Sequence, residues 1–136
     1  MKEFTSNTQV KVAFNDLDPM NVVWHGNYLK YLELARSEMF DKLNFGYPVM
    51  AGNNLIYPIA KMDLKFIAPA KFNQVLNVKC VLKEIEPAIV IKYLITDAQT
   101  GEKLFKAISM QICVNANTKE TIYEAPKILQ DALERM

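Results

Sequence analysis

Apolar and polar positions along this chain alternate at one of two spacings, and the spacing changes from one segment to the next. From Thr8 to Phe14, Val10, Val12 and Phe14 alternate with Gln9, Lys11 and Ala13, the two-residue period of a half-buried strand. From Asn27 to Leu43 the period lengthens. Tyr28, Tyr31, Leu32, Ala35, Met39 and Leu43 recur at steps of three and four among good helix formers, with no proline between them. Leu29, Leu34 and Phe40 widen this apolar surface and leave Lys30, Glu33, Ser37 and Asp41 as a narrow polar stripe. The pattern therefore predicts a long helix covered on most sides.

Alternation then returns four times. Ala60, Met62, Leu64 and Phe66 face away from Lys61, Asp63 and Lys65, which predicts a half-exposed second strand. Leu76, Val78, Cys80 and Leu82 mark a third strand, Ile89, Ile91, Tyr93 and Ile95 a fourth, and Ile108, Met110, Ile112 and Val114 a fifth. Asp97-Ala98-Gln99-Thr100-Gly101 supplies a hairpin turn, Pro87 marks the reversal before it, and Pro126 suits the first turn of a closing helix, Lys127 to Glu134. Asn15 to Gly26 is rich in turn formers but holds the apolar run Val22-Val23-Trp24, so it is expected to be a packed loop. Gly46 to Asn54 reads as a second loop.

One apolar helix followed by consecutive antiparallel strands predicts an α+β layer, a curved five-stranded sheet around a central helix. A chain of 136 residues, 51% hydrophobic, can bury one substantial core, and no linker interrupts it, so a single domain over 1–136 is expected. Five long strands leave two sheet edges to protect. Pairing an edge with its copy is an economical remedy, so a homodimer or homotetramer is expected.

Charge excludes some functions. Sixteen basic and 15 acidic residues are spread along the whole chain and leave a formal charge of +1, without the basic block that nucleic acid requires. No apolar run approaches a bilayer span, and Met1 to Val10 lacks the layout of a secretory signal, so a cytoplasmic location is expected. Cys80 and Cys113 sit in apolar alternating runs, where reduced thiols pack as small hydrophobes. With one histidine, His25, the chain offers little for a metal site, and neither metal nor cofactor is expected.

The segment Phe14-Asn15-Asp16-Leu17-Asp18-Pro19-Met20-Asn21-Val22-Val23-Trp24-His25-Gly26-Asn27-Tyr28 carries the most specific signal. Together with Tyr31-Leu32-Glu33-Leu34-Ala35-Arg36 and Phe66-Ile67-Ala68-Pro69-Ala70-Lys71, it resembles the HotDog thioesterases of the 4-hydroxybenzoyl-CoA thioesterase family. The resemblance implies a HotDog fold and hydrolysis of an acyl-CoA to a free carboxylic acid and CoA. It places the catalytic carboxylate, the second acid of the Asp-x-Asp pair, on Asp18 and leaves Asp16 a structural role. It also implies that the backbone amide at the start of the long helix, at His25, polarises the thioester carbonyl.

Chemistry makes such sparse equipment sufficient. A thiol with a pKa near ~8.5, as in free cysteine, leaves readily as thiolate, so no strong general acid is needed. What remains is an oxygen nucleophile and a donor for the oxyanion. Direct attack by Asp18 and activation of water by Asp18 both stay open.

Each residue also has a plainer reading. Asp18 alone could be a turn aspartate capping its own loop before Pro19, and the His25 imidazole a partly buried group bonded to backbone. Trp24 could belong to the core or line an acyl pocket. Asn21 stands where the family has glycine at a position that tolerates positive φ, and its side chain could narrow the acyl entrance. Lys65 and Lys71 could meet CoA phosphates or be solvated strand lysines, and Glu33 and Arg36 could form a routine helix pair. Two other functions share the fold: hydrolysis of thioesters on acyl carrier protein, and acyl-thioester binding without catalysis. A dehydratase would need a histidine paired with a carboxylate on a differently placed loop.

Overall fold

The computed structural model describes residues 3–136. In chain order the elements are β1 (Phe4–Lys11), a 3-10 turn (Phe14–Asp16), α1 (Asn27–Lys42), α2 (Tyr47–Gly52), β2 (Leu55–Ile56), β3 (Ile59–Phe66), β4 (Val75–Glu84), β5 (Ala88–Asp97), β6 (Lys103–Asn115), β7 (Thr121–Ile122) and α3 (Lys127–Glu134). All pairings are antiparallel. The sheet runs β1-β4-β5-β6, and β3, β2 and β7 each pair with β6.

The helix α1 packs on one face of this sheet through Tyr28, Tyr31, Leu32, Ala35, Met39 and Phe40, each at most 3% exposed. The alternating residues of β4 and β5 meet it from the sheet, with Leu76, Val78, Cys80, Leu82, Ile89, Ile91 and Ile95 fully buried. Each such aliphatic side chain contributes ~1.5–3 kcal/mol by leaving water, and together they fix α1 across the sheet. Cys80 and Cys113 are both buried free thiols, and burial pushes the Cys80 thiol up to about 12. Among the described residues no helix is long and apolar enough to cross a membrane.

The α+β class, the long helix, the five long strands and α3 match expectation. Five details do not. First, β1 begins at Phe4 and ends at Lys11. Val12 is buried beyond the strand, and Phe14 stands 76% exposed in the 3-10 turn. The inner face of β1 carries Ser6 and Thr8, so the alternation there is masked by polar side chains. The Ser6 hydroxyl accepts a hydrogen bond from Lys42 Nζ at 2.8 Å. Second, α1 is covered on one side only, with Leu29 and Leu34 exposed and Arg36 occupying a buried place. Third, the loop at Gly46 to Asn54 contains α2, opened by Pro48 in its first turn.

Fourth, β3 is exposed on both faces, not one, because it is an edge strand that nothing covers in the single chain. Fifth, β6 is turned over relative to its hydrophobic pattern. Phe105, Ala107, Ser109, Gln111 and Cys113 point inward, while Ile108 and Met110 point out. Hydrogen bonds reach both polar residues inside, although the Gln111 side-chain oxygen has no partner among the described residues. The Ser109 and Tyr93 hydroxyls lie 2.7 Å apart, and Gln111 Nε2 donates to the Tyr57 carbonyl at 2.8 Å.

Candidate active site

The loop between the 3-10 turn and α1 is held by Asp16. Its carboxylate, 2% exposed as a residue, accepts hydrogen bonds from the Ala13 amide at 3.0 Å and the Tyr31 hydroxyl at 2.8 Å, and it pairs with Lys30. Burial opposes ionisation, but the bonds from Lys30, Ala13 and Tyr31 outweigh it and hold the Asp16 carboxyl below its ordinary range. The Asp16 carbonyl accepts from the Trp24 amide at 2.9 Å and the Asn27 side chain at 2.8 Å. Both ends of the loop are thus tied to the first turns of α1.

Between these ties the chain makes a small hairpin. Leu17 bridges Val23, the Asp18 amide donates to the Val22 carbonyl at 2.8 Å, and the Asn21 amide donates back to the Asp18 carbonyl at 3.0 Å. Asn21 closes the turn at φ 63°, the left-handed region expected where the family carries glycine and one that asparagine adopts with little strain. One Asp18 oxygen caps the Met20 amide at 2.8 Å, with the Val22 amide further off at 3.5 Å. The other oxygen has no hydrogen-bond partner among the described residues. The Asx turn is therefore real, and it leaves half of the carboxylate free.

The hairpin is stitched to the segment after β3. Val22 bridges Lys71, and the Val23 amide donates to the Ala70 carbonyl at 2.9 Å. Tyr28 completes the join. Its ring stacks on Phe105 at 4.7 Å and meets Phe66 edge-on at 5.4 Å, and its hydroxyl accepts from the Ala70 amide at 3.1 Å.

At the helix entrance the residues differ from their plainer readings. Trp24 is not core: its indole is 48% exposed and lies 4.9 Å from the His25 ring. A Cβ on Gly26 would stand 2.2 Å from that indole, so any side chain there must push the ring aside. The His25 imidazole is exposed and makes no hydrogen bond among the described residues, in place of the expected buried bond to backbone. The His25 amide likewise donates to nothing among them. It sits one residue before Gly26, the N-cap of α1, where the helix presents partial positive charge.

Lys71 is brought beside the hairpin, whereas Lys65 projects from the outer face of β3 opposite Lys106. Arg36, which the sequence offered as half of a surface pair, is buried with its Nη1 3.4 Å from the Tyr93 hydroxyl and its Nη2 3.9 Å from Glu33. Nothing in the helical pattern distinguishes such an arginine from an exposed one. Hollows of about 430 Å³ on the outer sheet face, about 540 Å³ beside α3 and about 400 Å³ along α1 near Arg36 and Tyr47 open on the single chain. None is lined by Asp18 or His25. Among the described residues no cluster of three or more histidine, cysteine or carboxylate groups could hold a metal.

An antiparallel sheet packed on one long helix, with a carboxylate loop at the helix entrance, is the layout of a HotDog thioesterase. Residues 12–135 match the thioesterase-like superfamily, and the chain belongs to it. It is 34% identical over 132 residues to the Helicobacter pylori acyl-CoA thioesterase YbgC, covering 90% of this chain and 96% of that one. It is 30% identical over 81 residues to the 4-hydroxybenzoyl-CoA thioesterase of Pseudomonas sp. strain CBS-3, covering 56% of each chain. A DHNA-CoA thioesterase from Staphylococcus aureus shares the fold, with TM-score 0.86 over 96% of this chain and 89% of that one at 24% identity.

Proposed function

We propose that the chain hydrolyses acyl-CoA thioesters to a free carboxylic acid and CoA, with Asp18 supplying the oxygen chemistry. The observation that carries this reading is the free Asp18 oxygen, held in a hydrogen-bonded hairpin before α1, with an amide at His25 in the same loop that has no acceptor among the described residues. The family and the names of the relatives support the reaction class.

The Asp18 carboxylate either adds to the thioester carbonyl, giving a mixed anhydride that water then opens, or takes a proton from water as the water oxygen adds. In both routes the carbonyl oxygen becomes an oxyanion that the His25 amide binds, and the C–S bond breaks as CoA leaves as thiolate. Trp24 and Asn21 stand at the acyl entrance, and Lys71, with Lys65 at the other end of the same segment, supplies cations for the CoA phosphates.

A second copy completes the site. The β3 edge exposes Ile59, Leu64 and Phe66, and Phe66 packs on Tyr28 in the first turn of α1. Edge-to-edge pairing through β3 covers these residues and walls the space beside Asp18. Sedimentation equilibrium should give a dimer or tetramer, and a monomer at micromolar concentration would remove this wall.

The test of the chemistry is Asp18→Asn, which keeps shape and the bond to Met20 while deleting the charge. Thiol release from a panel of acyl-CoAs should fall by orders of magnitude with the melting temperature held. Near-normal turnover would overturn the assignment.

A further inference from the structure

The outer face of the sheet, turned away from α1, gathers a set of lysines. Strand pairing sets Lys79, Leu94, Lys106 and Lys65 in one row across β4, β5, β6 and β3, and Val81, Lys92, Ile108 and the lone carboxylate Asp63 in the next. Lys65 and Lys106 stand directly opposite on adjacent strands, a like-charge placement that weakens a sheet. Among the described residues, Lys65, Lys79, Lys92, Lys103 and Lys106 have no ion pair, whereas Lys61 and Lys83 pair with Asp63 and Glu3. The chain as a whole is nearly neutral, at +1, so five cations without an ion pair on one sheet face give that face a local positive charge.

The face is also partly apolar. The outward turn of β6 leaves Ile108 39% and Met110 37% exposed between the lysines, whose stems can lie along them with the ammonium groups outward.

We propose that this face docks the protein on an anionic lipid surface. The lysines supply the charge complementarity, and their kind decides the occupant. Both arginines of the chain lie elsewhere, Arg36 buried in α1 and Arg135 after α3. Protein interfaces favour arginine and aromatic side chains and are depleted in lysine. A diffuse layer of headgroup phosphates needs only flexible point charges over an apolar floor. A second copy on this face would set lysine against lysine. The inference is independent of the chemistry at Asp18, and a surface-docked enzyme would meet acyl-CoAs whose chains partition into lipid.

The test is cosedimentation with phosphatidylcholine vesicles made with and without phosphatidylglycerol, using the full chain and the variant Lys79→Gln/Lys92→Gln/Lys106→Gln. Lys65 is left intact because of its place beside the CoA phosphates. The wild-type chain should bind only the anionic vesicles and be released by salt. One lysine near an anionic surface is worth about a fivefold factor, so the triple variant should bind on the order of a hundredfold more weakly. Its turnover of a short acyl-CoA without vesicles should equal wild type, showing that it is folded. Failure of the wild type to bind anionic vesicles, equal binding to neutral ones, or undiminished binding by the variant would each overturn the proposal. So would a change in solution mass of the variant, which would assign the face to a second copy.

Discussion

Replacing Asp16 by asparagine separates the two aspartates of the loop, because the same substitution at Asp18 should do the opposite. The Asp16 carboxylate takes the Ala13 amide, the Tyr31 hydroxyl and Lys30, and an asparagine has one acceptor oxygen for these three donors. Tyr31 is fully buried, so a hydroxyl left without an acceptor there costs about 1–3 kcal/mol. Lys30 is half exposed, and losing its partner adds at most about 1 kcal/mol after solvent screening. The sum is about 1–4 kcal/mol. Unfolding entropy near ~2.1 cal/mol/K per residue, over 136 residues, makes each kcal/mol worth about 3.5 °C, so the melting temperature should fall by roughly 3.5–14 °C.

The effect should depend on pH with a definite sign. The folded carboxyl of Asp16 is held below its ordinary value of 3.8, so its contribution is complete above that value. As pH falls through the lowered folded value the contribution disappears, and the gap between wild type and variant should close at strongly acid pH. Calorimetry on wild type, Asp16→Asn and Asp18→Asn at neutral and acid pH measures all of this. A loss under about 3 °C at neutral pH, or an equal loss for Asp18→Asn, would refute the division of labour between the two carboxylates.

Two further substitutions probe the helix entrance. His25→Ala removes an exposed imidazole and keeps the amide, so kcat should change far less than the hundredfold typical of a lost oxyanion donor, and a collapse would assign the role to the imidazole. Gly26→Ala forces the Trp24 indole aside while costing about 1 kcal/mol or less in stability, because that ring is half exposed and can swing. Steady-state kinetics should then show a raised KM with little change in melting temperature, and unchanged KM would exclude Trp24 from the acyl entrance.

The parts of the fold written in long runs of one period were legible. α1 was bounded within a residue, and β4 and β5 carry their apolar alternation on the buried face, as patterning requires. What could not be read depended on partners distant in sequence. β1 hides its inner face behind Ser6 and Thr8 because Lys42, a helix residue, satisfies one of them. Arg36 is buried because Tyr93 lies under it, and no local pattern announces that. At the site, the motif singled out Asp18, His25 and Asn21, and the positive φ at Asn21 was legible from the glycine that the resembled family carries there. The anchoring by Tyr28 and Tyr31 was invisible, since tyrosines at helical spacing look like ordinary core.

The inverted face of β6 bears on how the chain reaches its native state. Sliding this strand by one residue against its neighbours would bury Ile108 and Met110 and expel Ser109 and Gln111, although it would also expel Phe105 and bury Lys106, so hydrophobic patterning alone fixes the register weakly here. Only the native alignment lets Ser109 meet Tyr93 and Gln111 meet the Tyr57 carbonyl, so these two contacts act as a lock against slippage. Ser109→Val or Gln111→Leu would loosen that lock, and misaligned, aggregating chains are the failure they should produce during refolding.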